Sequence, residues 1–444
     1  MLICRCQNNT PQTGHSWAPH GSGDSPRLGS MNSFFQDNAT IQRMERGPLA
    51  PYLGLYAQQL RSLGYAQQSG RLKLQRVAGF SRWLHQKQVG ANQVTAKHAS
   101  DYLRSCRSTD GQVRRGDQAT LAGFLQLLCD HKVIQPRASQ PAPTPSERWL
   151  KDYEVYLEKE QSLSLATRIN YIPFVRQFLH GRFGRGPVDL SVIEAADVLR
   201  FVRRAATQIK GKRVLLMTTA LRSFLRFARY RGEITLDLAA CVPPVANWAL
   251  SHLPKSLPPA QVEQLLAQAR QRSSVVGRRD YAILLLLARL GLRGGEVAGL
   301  TLDDVDWEHS RIAIRGKGDR VTPLPLPADV GQALADYLKD GRPPVTNQRR
   351  LFLRVRAPLV ELKGPVAIAT VVRHALDRAQ IQSPRKGAHL FRHSLACAML
   401  QKGSSLSEIG ELLRHRSPDT TSIYAKVDLR SLRPLALPWP ERIR

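Results

Sequence analysis

Apolar residues recur three and four positions apart along most of the chain, which predicts helices in preference to strands. In the C-terminal part, Asp280 to Leu290 reads as an apolar helix, and Gly291 stands where a helix end takes the left-handed conformation. The period then changes. RIAIRGKGDRVTPLPL, residues 311–326, alternates around Gly-Lys-Gly-Asp and predicts a β-hairpin. Helices are expected near 327–340, 366–380 and 390–402, the last stopped by Gly403. Ser405 and Glu408 form a capping box that opens a helix to about 413. Ser417-Pro418 supplies an N-cap and a first-turn proline for a final helix, with Tyr424 two turns inside it.

Two stretches interrupt the periodic segments: PRASQPAPTPSE, residues 136–147, and the proline-rich 242–259. Read as linkers, they separate a helical block at 31–135, a second at 148–241 and a third at 260–436. Residues 1–30 lack periodicity and read as a disordered leader, and 437–444 as a C-terminal tail. The first two blocks resemble each other. Phe80, Trp83 and Leu84 correspond to Val175, Phe178 and Leu179, Asp101-Tyr102-Leu103 to Arg200-Phe201-Val202, and Phe124-Leu125 to Phe224-Leu225, at offsets of 95, 99 and 100 residues. The fold class expected is mainly α, with a small antiparallel sheet in an α+β third block.

A chain of 444 residues accommodates about three domains at roughly 150 residues each. Its 65 lysines and arginines outnumber 35 acids, a formal charge of +30, which calls for a polyanionic partner. The longest apolar run, Ala282 to Ala288, falls far short of the ~20 residues of a spanning helix. Nucleic acid is therefore the favoured polyanion. The charge concentrates in the second block, where Arg203 to Arg231 holds nine cations and no acid. Arg222, Arg226 and Arg229 share one helix face opposite Leu221, Phe224, Leu225 and Ala228, and with Lys212 and Arg213 of the same run are the DNA-binding candidates. The six scattered cysteines read as reduced thiols in a cytoplasm.

Arg293, Lys317, His389, Arg392, His415 and Tyr424 supply cations, imidazoles and one phenol in that order. Guanidinium groups bind the non-bridging oxygens of a phosphate, imidazole moves protons near neutral pH, and a phenol oxygen can attack phosphorus. The set needs neither metal nor cofactor. GLRGGE (291–296), GKGDR (316–320), HLFRHS (389–394) and LLRHRSPDTTSIY (412–424) resemble, in order and spacing, the boxes of the tyrosine recombinases, the phage-integrase family. The resemblance covers 148–436, with the second block similar to the family's core-binding domain and the first similar to an additional copy of it.

The resemblance implies that Arg293 and Arg392 hold the scissile phosphate, that Lys317 protonates the leaving 5′-oxygen, and that His389 accepts the phenolic proton or binds the phosphate. His415 would donate to a non-bridging oxygen, and Tyr424 would attack to leave a 3′-phosphotyrosine. Glu296 resembles the acid that braces the first arginine. His309, His374 and His393 lack matching roles and read as structural or surface residues. Where the family reads Leu-Gly-His, this chain reads Leu413-Arg414-His415; either the helix ends differently or Arg414 gains a phosphate contact. The implied activity is site-specific recombination of double-stranded DNA by a homo-tetramer, alone or with companion recombinases, in an integrase or transposase of a mobile element. A type IB topoisomerase and a non-catalytic DNA-binding regulator are the alternatives. A cytoplasmic, nucleoid-associated protein follows.

Overall fold

The computed structural model describes residues 31, 33–110, 116–135, 144–209, 211–245, 253–316, 320–344, 348–415, 417–427 and 432–435. The leader at 1–30, Lys317 and the tail at 437–444 lie outside them. One compact unit holds the described residues of Met1–Pro136 together with Arg354–Val360; a second holds those of Arg137–Leu353 and Glu361–Arg444.

The first unit is helical: α1 (Asn38–Met44), α2 (Ala50–Ser62), α3 (Gln67–Gln86), α4 (Ala96–Asp110) and α5 (Asp117–Asp130). The second unit begins with α6 (Pro145–Lys159), α7 (Leu165–Phe183), α8 (Ala195–Gln208) and α9 (Lys212–Tyr230). The order from α2 to α5 recurs from α6 to α9, down to a single 3-10 turn between the second and third helices, Ala91–Gln93 in one and Leu190–Val192 in the other. The core contacts recur as well. Tyr56 donates its hydroxyl to the Thr120 carbonyl at 3.4 Å and meets Phe124 edge-on at 5.2 Å; Tyr153 donates to Ala220 at 3.3 Å and meets Phe224 edge-on at 5.3 Å. Each tyrosine sits between buried leucines at the same spacing, Leu53 and Leu60 in one helix, Leu150 and Leu157 in the other. Trp83 packs on Tyr102 as Phe178 packs on Phe201.

The remainder of the second unit is built on α11 (Val275–Leu290), following α10 (Pro259–Arg270). Ile283 to Leu287 are all buried because α10, α13 (Ala328–Asp340), α14 (Gly364–Arg378) and α15 (Ala388–Gln401) pack around it. At ~1.5–3 kcal/mol for each buried leucine or isoleucine, this helix supplies much of the core's stabilisation. The short α12 (Gly294–Gly299) lies between α11 and a three-stranded antiparallel sheet, β1 (Val305–Asp306), β2 (Arg311–Arg315) and β3 (Val321–Pro325), in the order β1-β2-β3. Ile312 pairs with Leu324 and both face the core, while Arg311 and Arg315 on the same strand face outward. The predicted hairpin is therefore present; the two-residue β1, too short to show a period, joins it.

Two helix ends set the site. Gly291, at φ 59°, ends α11 left-handed, as its position predicts. Ser405 and Glu408 cap α16 (Leu406–Leu412) reciprocally, with Glu408 amide to Ser405 hydroxyl 3.2 Å and Ser405 amide to Glu408 carboxylate 2.7 Å. The expected helix around Tyr424 is different. Ser417 caps α17 (Pro418–Thr421), but the α-helix lasts one turn and Ser422–Val427 continue as a 3-10 helix that carries Tyr424. Thr420, Thr421 and Ile423 are β-branched and lose rotamer freedom in an α-helix, and the Ser422 hydroxyl binds the Asp419 carbonyl at 2.8 Å, which favours the tighter turn.

Candidate active site

Arg392 is the centre of the site. It projects from α15 into the interior, only 3% exposed, and its guanidinium donates to the Gly291 carbonyl at 2.8 Å and to the Leu413 carbonyl. Gly291 is the C-cap of α11 and Leu413 the C-cap of α16, so one buried cation joins the C-terminus of α11 to that of α16. Carbonyls at helix C-termini carry partial negative charge, which suits a cation without a carboxylate partner. Burial, with Arg293 and Arg414 nearby, pulls the Arg392 pKa down to about 10, so the group stays charged at neutral pH.

Arg293 is the N-cap of α12. The Glu296 carboxylate accepts from the Arg293 amide at 2.8 Å and from its guanidinium at 2.7 Å, as the sequence expects of a bracing acid. A second arginine uses the same carboxylate. Arg414 takes a left-handed backbone, φ 54°, and its guanidinium donates to Glu296 at 2.9 Å and to the Leu412 carbonyl at 3.2 Å. The helix thus ends as it would with glycine, and the side chain's partner is Glu296. Burial raises the Glu296 pKa, but the Arg293 hydrogen bonds and the Arg414 charge outweigh it and hold the carboxyl below its ordinary value.

Tyr424 is 1% exposed and packs with Ala396, Cys397, Leu400, Ile409 and Leu413. Burial pushes its pKa up to about 12, an effect Arg392 partly offsets. Two imidazoles flank the ring. His415 lies parallel to it, with centroids 6.5 Å apart and planes at 6°, and its Nδ1 is 2.6 Å from the Thr421 hydroxyl. His393 meets it edge-on at 5.7 Å, with Nδ1 3.0 Å from the phenol oxygen. Burial first, then neighbouring cations, pulls His393 and His415 to about 4 and lowers His389 as well. All three imidazoles are therefore neutral at pH 7. His389 is exposed one turn before His393, ring centroids 6.3 Å apart, and no hydrogen bond joins it to Tyr424.

The structure thus brings Arg293, Glu296, His389, Arg392, His415 and Tyr424 together, and adds Arg414 and His393. Sequence reasoning assigned His393 to a structural or surface role. A signal was present: it follows His389 by four residues, so both lie on one face of α15. Lys317 lies outside the described residues; the strands on either side end at Arg315 and Val321. Among the described residues of the site, Arg293 and Arg414 share the Glu296 carboxylate while backbone carbonyls hold Arg392, so positive charge exceeds negative and the site suits an anion.

On α9, Arg226 and Arg229 are exposed, and Arg229 lies 3.3 Å from Asp237. Arg222 is half-buried and donates to the Val242 and Pro243 carbonyls at 3.0 Å, so its basic face is partly committed within the protein. Lys212 and Arg213 line a cavity of about 320 Å³ with Asn170 and Phe174, and Arg213 stands 5.8 Å over the Phe174 ring. Among the described residues no helix is long and apolar enough to cross a membrane, and no acidic, histidine and cysteine group could hold a metal.

Residues 255–430 match the phage integrase family. The chain is 46% identical over 414 residues to a Sinorhizobium fredii protein named "Putative integrase/recombinase y4rA", covering 92% of this chain and 99% of the relative. It is 31% identical over 286 residues to the tyrosine recombinase XerA of Thermococcus onnurineus, covering 64% of this chain and 92% of XerA. Among solved structures, the XerH site-specific recombinase bound to palindromic difH in a post-cleavage complex matches with a TM-score of 0.54 and 21% identity, over 77% of this chain and 95% of XerH; at that identity the likeness shows the fold. The chain belongs to the phage integrase family, the tyrosine recombinases, and is a site-specific DNA recombinase, an enzyme that breaks and rejoins DNA.

Proposed function

We propose that Tyr424 is the nucleophile, attacking a scissile phosphate of duplex DNA to form a 3′-phosphotyrosine. The observation that carries this is its setting. A buried phenol stands between two neutral imidazoles and beside Arg392, which the ends of two helices hold in place. Arg293 and Arg392 bind the non-bridging oxygens and stabilise charge growing on them. Glu296 positions Arg293, and His389 binds the phosphate from the exposed side. If the Thr421 hydroxyl donates to His415 Nδ1, the opposite ring nitrogen carries the proton and can donate it to a non-bridging oxygen. Lys317, which follows β2 in the sequence, supplies the proton for the leaving 5′-oxygen. The phosphotyrosine conserves the bond energy, so a second strand's 5′-hydroxyl reverses the step without ATP.

Lys212, Arg213, Arg226 and Arg229 contact DNA phosphates, and Arg222 supports the same surface through its ties to Val242 and Pro243. The helical block at 31–135 is a second copy of the core-binding block at 148–241. The matched tyrosine, phenylalanine and carbonyl contacts support that reading, as does the shared order of elements. It extends the DNA-bound surface. The enzyme acts as a homo-tetramer on DNA, alone or with companion recombinases, in the integration or transposition of a mobile element. It works at the nucleoid in the cytoplasm, a setting in keeping with the thiol form of Cys106, Cys241 and Cys397.

A nicked duplex that releases the 5′ product tests the reading, because cleavage then traps the enzyme on the 3′ strand. Wild-type protein should accumulate a denaturation-resistant adduct, and Tyr424→Phe should bind the duplex but form none. An adduct that forms with Tyr424→Phe contradicts the assignment. Relaxation of supercoiled plasmid lacking element ends, at a rate equal to cleavage of cognate ends, would favour a topoisomerase instead.

A further inference from the structure

We propose that His393, not His389, is the general base that takes the phenolic proton from Tyr424. The inference rests on Tyr424 being the nucleophile. A base must lie within hydrogen-bond reach of the proton it removes, roughly 2.6–3.2 Å between heavy atoms. Among the three imidazoles of the site, His393 meets that requirement, with Nδ1 3.0 Å from the phenol oxygen. The His415 Nδ1 is engaged by Thr421 at 2.6 Å, and its ring lies parallel to the tyrosine ring 6.5 Å away. His389 is exposed, and its ring centroid is 6.3 Å from that of His393.

The surroundings of His393 fit a base that becomes effective when DNA arrives. On its own helix it faces His389 and Arg392; Arg385 stands just before that helix, and Tyr424 and His415 come from the segments packed on it. Burial and these cations keep the ring neutral in the free enzyme, with its pKa pulled down to about 4. A neutral ring can accept a proton, but at that value it is a weak base. A phosphodiester bound by Arg293 and Arg392 neutralises part of the positive field and raises its basicity. Proton removal would thereby be coupled to occupation of the site, and in its absence a phenol held near 12 stays protonated.

The step balances. The Tyr424 O–H proton moves to His393 Nδ1, giving an imidazolium, as the phenol oxygen forms its bond to phosphorus. The bond from phosphorus to the 5′-oxygen breaks with its electron pair, and that oxygen takes a proton from the general acid, Lys317 in the reading above. On rejoining, the incoming 5′-hydroxyl returns its proton to the acid, and the His393 imidazolium reprotonates the departing phenolate.

His393→Asn is the discriminating variant, because Oδ1 of asparagine can occupy the place of Nδ1 and accept the phenol hydrogen bond without acting as a base. On the nicked duplex, adduct formation should slow by about 10²- to 10⁴-fold at pH 7.5, the usual worth of a general base. Affinity for the intact duplex should stay within about twofold, since the residue contacts the nucleophile in place of the DNA. The residual rate should climb with pH through 9 as hydroxide replaces the base, and added imidazole should accelerate His393→Ala. A DNA substrate with sulfur as the bridging 5′ atom needs no acid; it should rescue Lys317→Ala but leave His393→Asn slow. A folded His393→Asn that cleaves at the wild-type rate overturns the inference. So does transfer of the base-dependent pH limb to His389→Gln. Tyr424→Phe separates the two levels: if it still forms adduct, the nucleophile assignment fails, whereas a silent Tyr424→Phe beside a normal His393→Asn refutes the base alone.

Discussion

Replacing Arg414 by glycine removes two opposing contributions, backbone strain and an ionic hydrogen bond. A side chain held at φ 54° costs about 1–2 kcal/mol relative to glycine, which adopts that conformation freely. Against this stand the charge-assisted hydrogen bond to Glu296 at 2.9 Å and the weaker one to Leu412 at 3.2 Å. A hydrogen bond to a charged group contributes roughly 1.5–3 kcal/mol, and both side chains here are largely buried, 11% and 7% exposed. Glu296 keeps its two bonds from Arg293, so the substitution strands no bare charge. The ionic contact should win by about 1 kcal/mol near neutral pH. In calorimetry, the transition of the catalytic block should fall by about 2–4 °C at pH 7.5.

The pH dependence of that loss follows from Glu296. Its folded-state pKa lies below the ordinary carboxyl value, so its stabilising contribution is full above the unfolded-state pKa and is lost as pH falls through the folded-state value. The melting gap between wild type and Arg414→Gly should therefore narrow toward acid. Cleavage at saturating DNA should also slow, because Arg414 links the His415 loop to the carboxylate that positions Arg293. A glycine variant that melts higher than wild type at pH 7.5 would show that backbone strain at Arg414 outweighs its bond to Glu296.

On α9, Arg226→Ala with Arg229→Ala should reduce the slope of log affinity against log salt by about 1.8 if each arginine meets one phosphate, measurable by fluorescence anisotropy between 50 and 200 mM salt. An unchanged slope would return both residues to solvent. Arg222→Ala should also lower the thermal transition of the second block, since Arg222 bonds the Val242 and Pro243 carbonyls; a loss of affinity with no thermal shift would contradict that role. Tyr56→Phe and Tyr153→Phe each remove a long hydroxyl to carbonyl bond and keep the ring, so each should cost about 0.5–1.5 kcal/mol in its own block. Strongly unequal costs would argue against equivalent places in two copies of one module.

The parts of this architecture that were legible in the sequence are those fixed by local chemistry. Gly291 marks the end of α11, Ser405 and Glu408 mark the start of α16, and alternation marks the hairpin, because each is decided by residues a few positions apart. The internal similarity of the first two blocks was visible in aromatic pairs, yet its firmest sign, the buried tyrosines at 56 and 153, needs the third dimension to show that each reaches a carbonyl four residues before a matched phenylalanine. The 3-10 turn at Tyr424 was hidden by a genuine N-cap, which announces a helix start and says nothing of its length. Arg414 was legible as an anomaly but its partner was not, since Glu296 is 118 residues away. For His393 the side chain was plain and its orientation toward the phenol was not; which of two histidines one turn apart faces Tyr424 depends on how the 3-10 segment packs on α15.

With Tyr424 as nucleophile, that one phenol becomes joined to the 3′ end of cleaved DNA. Full-length enzyme trapped on a nicked duplex, digested with trypsin and nuclease and analysed by mass spectrometry, identifies the attachment site. A nucleotide-phosphate mass is expected on the tryptic peptide containing Tyr424, absent when Tyr424→Phe is treated identically. The same mass on a peptide bearing any other tyrosine, serine or histidine would contradict it.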